Sequence, residues 1–422
     1  MTFDAIVAGA GIWGCTVARL LAEAGKRVLV LEKRAAVGGN CRCEIDPETG
    51  IEVHVYGSHI FHTSNEEVWR FVNRFTSFNG YRHMVLAKHN GRIYHLPIGK
   101  TLVKEFFGID LESADFTEFT NSPIPNSSNS CKSWTDKTYG EAIFDAFIKN
   151  YTAKQWGMSA DQVDPAVIKR LKVRDNYSTD YFDDPYQGIP SDGYNAMFER
   201  MLDHENIEVR VSSSLKLAGD SSKLELENGE FYIFDEIKKE AIPLFNFNSQ
   251  LQLFYSGPID ALFDYKFGPL PWRTLRFETE RLDVADYQGN SVVNYVDADV
   301  PFTRIHEFKH YHPGRVFDFS INRFVDLNRP EEKTIIMREY SATWRPGDEP
   351  YYPIASSESA ALLSRYQSEA EKLNHPSLNI QHSNFNTSPR LIIGGRLGGY
   401  KYYDMDKSIE AALRTANEYL AK

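Results

Sequence analysis

The chain has 422 residues, of which 42% are hydrophobic and 25% charged, with a net charge of −11. At roughly 100–200 residues per domain this is the length of two or three globular domains, and no run approaches the ~20 apolar residues of a membrane span. The negative balance provides no basic field for nucleic acid, though a few local arginines would suffice for a small anion. The N-terminus enters a strand-like run without the basic and apolar regions of a secretory leader. Cys15, Cys41, Cys43 and Cys131 have no zinc-type spacing. A cytoplasmic protein with reduced thiols and no metal site is expected.

Taken in chain order, residues 4–8 read as a buried strand, 13–24 as a helix and 28–31 as a second strand: a β-α-β unit opening a parallel sheet. Residues 97–172 read as helical, with a Pro/Asn/Ser break at 121–133. From 266 to 345 alternating runs separated by turns predict an antiparallel sheet. A strand from Arg390 follows, then a helix from about Asp406 with Ile409, Leu413, Ala416 and Leu420 on one face.

Gly9-Ala-Gly11-Ile12-Trp13-Gly14 is a G-x-G-x-x-G run between the first strand and helix. Gly9 permits the tight turn, Gly11 lets a pyrophosphate approach the backbone, and Gly14 lets helix and strand pack closely. The helix N-terminus offers its free N–H groups to phosphate. Glu32, followed by Lys33, ends the second strand, where a carboxylate accepts from the hydroxyls of an adenosine ribose. Gly38-Gly39-Asn40 adds a second glycine pair near the acidic residue. Late in the chain come Gly394-Gly395-Arg396 and Asp404-Met405-Asp406. Together these favour FAD over NAD.

Beyond the fingerprint, the chain resembles the bacterial UDP-galactopyranose mutases over almost its whole length. The resemblance is carried by Tyr56-Gly-Ser-His59-Ile-Phe-His62-Thr63, Tyr151-Thr-Ala-Lys-Gln-Trp156-Gly157, Tyr186-Gln-Gly-Ile-Pro190, Gly257-Pro-Ile-Asp260, Phe277-Glu-Thr-Glu280, Glu349-Pro-Tyr-Tyr352-Pro353 and Gly394-Gly-Arg396 through Asp404-Met405. It implies an isomerase that interconverts UDP-galactopyranose and UDP-galactofuranose. Reduced FAD would attack the anomeric carbon through N5, with loss and return of UDP and no net redox change. NADPH or NADH would be the electron donor, and relatives of this kind form homodimers.

Residue by residue, the resemblance places His62 beside the flavin with His59 next to it. No third ligand accompanies the pair, so a metal role is not expected. It assigns Arg174 and Arg304 to the substrate diphosphate, where arginine's planar fork suits phosphate oxygens. Arg396 falls on the diphosphate or the flavin, and Arg273 near the isoalloxazine or the sugar. Tyr186, Tyr352 and Tyr402 become phosphate hydrogen-bond donors, and Asp404 helps hold the flavin side of the site or a sugar hydroxyl. Tyr151 stacks on the uracil, Trp156 closes over the ligand, Phe147 joins them in binding substrate, and 157–184 contains a lid carrying Arg174.

Several positions depart from the commonest family pattern. These are Ser58 for a small apolar residue, Ile148 for an aromatic, Pro185 for an arginine, Phe302 for a tyrosine and Gly399 for an acidic residue. The chain is also longer near 212–250, 312–330 and 373–389. His59 leans toward galactose over N-acetylgalactosamine. UDP-N-acetylgalactosamine or a dTDP-6-deoxyhexose remain alternative substrates, and a flavin amine or alcohol oxidase is an alternative class. The expected fold is α/β. A discontinuous Rossmann-like FAD-binding domain (1–80, 195–262, 355–422) carries an inserted helical domain (97–172) and an antiparallel sheet domain (81–96, 173–194, 263–354).

Overall fold

The structure is a computed structural model that describes residues 3–109, 138–160, 162–163, 173–217, 231–244, 251–327, 332–374 and 390–422. The expected break at 121–133 and nearly all of 373–389 lie outside the described residues.

Strands Ala5–Ala8, Val28–Leu31 and Gln252–Tyr255 are short apolar runs, buried at every position, as a sheet covered on both faces requires. With Arg390–Ile393 and Ile207–Arg210 they form a five-stranded parallel sheet. Its order is Arg390–Ile393, Gln252–Tyr255, Ala5–Ala8, Val28–Leu31, Ile207–Arg210. One face carries helices Ile12–Glu23, Gly193–Leu202 and Met405–Leu420. Ala18, Leu21, Met197, Phe198, Ile409, Ala412 and Leu413 share its core. The other face packs on helix Ser357–Leu373 through Tyr366 and Ala370. That helix opens with a reciprocal cap in which Ser356 and Ser359 satisfy each other's backbone N–H.

The second sheet has seven strands, in the order Tyr352–Pro353, Trp272–Leu282, Thr334–Thr343, Arg304–Glu307, Val292–Tyr295, Val85–His89, Arg92–Leu96. Its neighbours run antiparallel except for Val292–Tyr295 and Val85–His89, which are parallel. The expected antiparallel sheet is thus present, with one parallel pair inside it. The 85–96 hairpin reaches the sheet from far away in sequence, so no tight turn dictates the direction of its pairing.

Among the described residues, helical structure within 97–172 takes the form of Lys100–Phe107 and a run through Thr138–Ile143, Phe144–Lys149 and Asn150–Trp156, whose middle turn is π-helical. Gly157, at φ +68°, ends it in the left-handed conformation that glycine adopts without strain. Part of the extra length near 212–250 forms a three-stranded sheet, Ser213–Leu217, Phe231–Asp235 and Glu240–Pro243. That near 312–330 contains the hairpin Arg315–Asp318/Arg323–Asp326.

Candidate active site

A cleft of ≈ 1370 Å³ runs from the carboxyl edge of the parallel sheet to the space between helix Asn150–Trp156 and the seven-stranded sheet. Ligands of open parallel sheets bind at that edge. On the sheet side it is lined by Gly9, Gly11, Ile12, Trp13, Glu32, Lys33, Gly39 and Asn40. Gly395, Arg396, Tyr402, Asp404 and Met405 also line it.

The glycine turn is built for close approach. Gly9 has φ +104°, and a Cβ there would lie 2.2 Å from Ser256 Oγ. A Cβ on Gly39 would sit 2.9 Å from Gly11 Cα, closing the gap a pyrophosphate needs. Gly14 does not line the cleft; its Cβ would fall 1.9 Å from the Gly9 carbonyl oxygen, so it serves helix–strand packing. Gly14→Ala should therefore destabilise by ~3 kcal/mol or more, the upper end of overpacking costs. Flavin content and Tm of the purified variant read this out.

Glu32 braces the same turn, accepting from the N–H of Ala10 at 2.8 Å and of Arg34 at 2.9 Å. Each carboxylate oxygen keeps a lone pair for a ribose hydroxyl. The indole N–H of Trp13 and Nε–H of Arg396 are buried donors without an acceptor among the described residues. Buried donors are normally satisfied, so the chain fits an acceptor-rich dinucleotide here.

The opposite half is charged and aromatic. Arg304 Nε lies 3.0 Å from Glu339 Oε1, His306 Nε2 3.2 Å from Glu339 Oε2, and the Thr303 hydroxyl donates to Glu339 at 3.0 Å. Ser58 Oγ is 2.5 Å from His306 Nδ1 and accepts from the Tyr311 hydroxyl. Burial alone would raise the Glu339 carboxyl. The Arg304 charge and the His306 and Thr303 hydrogen bonds override that and hold it at about 2. Burial also lowers His306, against the pull of Glu339, and keeps its imidazole neutral. The site therefore holds a buried Glu⁻ paired with a partly exposed Arg⁺ beside a neutral histidine.

Because the folded Glu339 value of about 2 lies below its ordinary 4.5, its contribution is complete above pH 4.5 and lost as pH falls toward 2. At 1.36 kcal/mol per unit this is ~3 kcal/mol. Glu339→Gln should flatten acid unfolding between those pH values, as followed by circular dichroism.

Arg174 is 7% exposed and committed to its own segment. It donates to the Tyr181 carbonyl at 3.0 Å and to that of Asp180, and pairs with Asp183 at 2.7 Å. His62 Nδ1 lies 2.7 Å from Asp184 Oδ2, and its ring stacks on Phe182 at 3.7 Å. His59 Nδ1 meets the Gly57 carbonyl at 2.7 Å, and burial with nearby Arg396 pushes it down to about 4. Phe147, Ile148, Tyr151, Thr152, Gln155 and Trp156 form one cleft-facing helical stripe at four-residue spacing. Tyr352 and Tyr402 stack at 5.7 Å, with Arg396 over the Tyr402 ring at 4.5 Å. Burial raises the phenols of Tyr151 and Tyr352, so both stay protonated donors.

Two expected positions lie away from the cleft lining. Tyr186 does not line the cleft; its strand pairs with Phe61–Thr63 and its ring stacks on Trp69 at 5.1 Å. Arg273 is buried outside the cleft, donating to the Gln155 carbonyl at 3.0 Å, Ser341 Oγ at 2.9 Å and Thr343 Oγ1 at 3.1 Å. Glu339, His306, His83 and Asn294 line the cleft and were not foreseen. For Glu339 a signal existed: it follows buried Ile335 and Met337 on the same alternating phase of a strand.

Cys43, Glu52 and His54 form a buried cluster of ligand-type side chains away from the cleft lining. His54 Nδ1 accepts the N–H of His59 at 3.0 Å, so the proton of the neutral ring sits on Nε2, the nitrogen nearest Glu52. A metal ligand needs that lone pair free. Among the described residues no helix is long and apolar enough to cross a membrane.

The fold and cleft define a flavoprotein of the glycine-rich dinucleotide-binding class, with a second half suited to an anionic, ring-bearing ligand. The family profile of UDP-galactopyranose mutase matches residues 146–402, and that of NAD(P)-binding Rossmann-like domains matches 7–75. The chain is 34% identical to a probable UDP-galactopyranose mutase of Klebsiella pneumoniae, over 99% of this chain and 94% of that protein. It is 33% identical to the dTDP-fucopyranose mutase of Escherichia coli, over 98% of both. Among solved structures it matches reduced UDP-galactopyranose mutase at a TM-score of 0.67 and 15% identity, covering 100% and 96%. A putrescine oxidase shares the fold at 0.55 and 12% identity, covering 100% and 99%. The chain belongs to the UDP-galactopyranose mutase family of flavin-dependent nucleotide-sugar mutases.

Proposed function

We propose that the protein interconverts UDP-galactopyranose and UDP-galactofuranose with reduced FAD. The observation that carries this reading is the pairing of a dinucleotide cradle with an arginine- and tyrosine-lined half in one cleft. FAD, when bound and reduced, supplies the nucleophile toward the anomeric carbon. The chain's own groups do the rest. Arg304, with Arg174 once released from Asp183, neutralises the departing diphosphate, where charge develops in the transition state. Tyr352 and Tyr402 donate to its oxygens. Tyr151 and Trp156 pack on the base. His62, oriented by Asp184, supports the reacting centre from the flavin side. The segment 173–184, carrying Arg174 and stacked against His62 through Phe182, keeps water from the activated sugar.

NADPH or NADH as reductant, a cytoplasmic homodimer and the domain partition given above complete this reading. The test is a substrate panel. Reduced protein is incubated with UDP-galactofuranose, UDP-N-acetylgalactosamine and dTDP-fucopyranose, and products are separated by chromatography. Turnover fastest with UDP-galactofuranose supports the assignment, and preference for another sugar overturns it.

A second reading, the same chemistry on a dTDP-6-deoxyhexose, is favoured by one observation. Apolar Ile148 stands on the cleft-facing stripe beside Phe147 and Tyr151, where it suits a methylated base.

A further inference from the structure

Lys154 sits between Tyr151 and Trp156 on helix Asn150–Trp156 and does not line the cleft. Its ammonium converges on four backbone carbonyls: Tyr295 at 2.5 Å, Asp297 at 2.9 Å, Val300 at 3.1 Å and Phe302 at 3.2 Å. Tyr295 ends strand Val292–Tyr295, and the other three lie in the loop between it and Arg304–Glu307. An ammonium has three N–H donors, so they are fully engaged and at least one is shared. The side chain of Asp297 turns the other way, to His89 Nδ1 at 2.6 Å and the Asn90 N–H at 2.9 Å. That ties the loop to the 85–96 hairpin. Two residues past the last carbonyl comes Arg304, paired with Glu339.

We propose that Lys154 is a positioning residue: it clasps the helix face carrying Tyr151 and Trp156 to the loop that delivers Arg304, fixing the distance between the ring-stacking and phosphate-binding halves of the site. This rests on the reading of the cleft as a nucleotide-sugar site. The chemistry suits lysine in particular. A compact ammonium can point donors in several directions at once, whereas arginine's planar fork cannot converge on four carbonyls around one point. A second hold on this helix end, Arg273 and Ser341 on the Gln155 carbonyl, runs to strand Thr334–Thr343, which also carries Glu339. It sets the helix on the strand of Arg304's ion-pair partner, whereas Lys154 sets it on the loop that leads into Arg304 itself. Burial pushes Lys154 down to about 8, against the opposing pull of Asp297 and Asp299, the charged groups facing it. Above that pH a neutral amine keeps two donors and the clasp loosens.

The test uses the intact flavoprotein with UDP as probe and its dissociation constant as readout, measured by Trp fluorescence from pH 7 to 9. Wild-type affinity should weaken several-fold across that range with a midpoint near 8. Lys154→Met should bind UDP about 10-fold more weakly at pH 7, with flavin content and spectrum unchanged and no pH step. Lys154→Arg should not restore affinity. UDP affinity of Lys154→Met within twofold of wild type, or the same pH step in that variant, overturns the proposal. If Lys154→Met does not fold, a flat wild-type profile overturns it and a step near 8 supports it. A wild type that holds flavin but binds no UDP overturns the functional reading itself, and the clasp with it.

Discussion

Arg304→Ala is expected to lower kcat/KM by ~10³-fold, the scale seen when a donor to developing negative charge is removed. The loss has two sources that can be measured separately. One is the missing partner for the diphosphate. The other is Glu339, which is 2% exposed and held ionised chiefly by Arg304. Without the guanidinium it becomes a buried anion beside the ligand's own negative charge. Breaking such a pair costs ~3–5 kcal/mol of stability. A second substitution, Glu339→Gln, removes the orphaned charge. The double variant should regain most of the lost Tm while staying near the single variant in kcat/KM. Recovery of both together would mean that Arg304 acts only on Glu339 and not on substrate.

Arg174→Ala should cost ~10²-fold in kcat/KM, mainly through KM, because its bidentate fork meets substrate phosphate directly in this account. In the structure that fork is occupied by Asp183, a half-exposed carboxylate at 2.7 Å. Substrate must displace it, and because Asp183 itself is half open to water, its release into solvent makes that exchange feasible. Asp183→Asn removes the competitor, so it should lower KM for the nucleotide sugar a few-fold with kcat little changed. Steady-state kinetics of the two variants check the pair of outcomes. A raised KM in Asp183→Asn would show that the carboxylate holds Arg174 in its working position.

The dinucleotide half was legible because its chemistry is local. The strand, the three glycines and Glu32 lie within one β-α-β unit, and the spacing that defines them also builds the turn. The last helix was legible for a similar reason, its apolar positions recurring at helical period. The substrate half was less so. Glu339 and His306 come together with Ser58 only through pairing of strands and a loop far apart in the chain. No spacing announces that. Ser58 looked like a simple departure from an apolar position, yet its hydroxyl joins His306 to Tyr311. Arg273 and Tyr186 show the converse. Both stand in motif-like strings, but local acceptors take the arginine, and a strand pairing sends the tyrosine ring onto Trp69. The parallel pairing of Val85–His89 with Val292–Tyr295 was invisible for the same reason, since pairing direction across more than 200 residues leaves no trace in alternation.

The measurement that tests the central claim most directly compares one preparation in two redox states. The purified protein, loaded with FAD, is given UDP-galactofuranose anaerobically, first oxidised and then reduced with dithionite, and UDP-galactopyranose is followed by chromatography. This account predicts sustained conversion by the reduced protein, with no flavin oxidation accompanying turnover, and none by the oxidised protein. Equal conversion in both states, or conversion that consumes one reduced flavin per product, would contradict it.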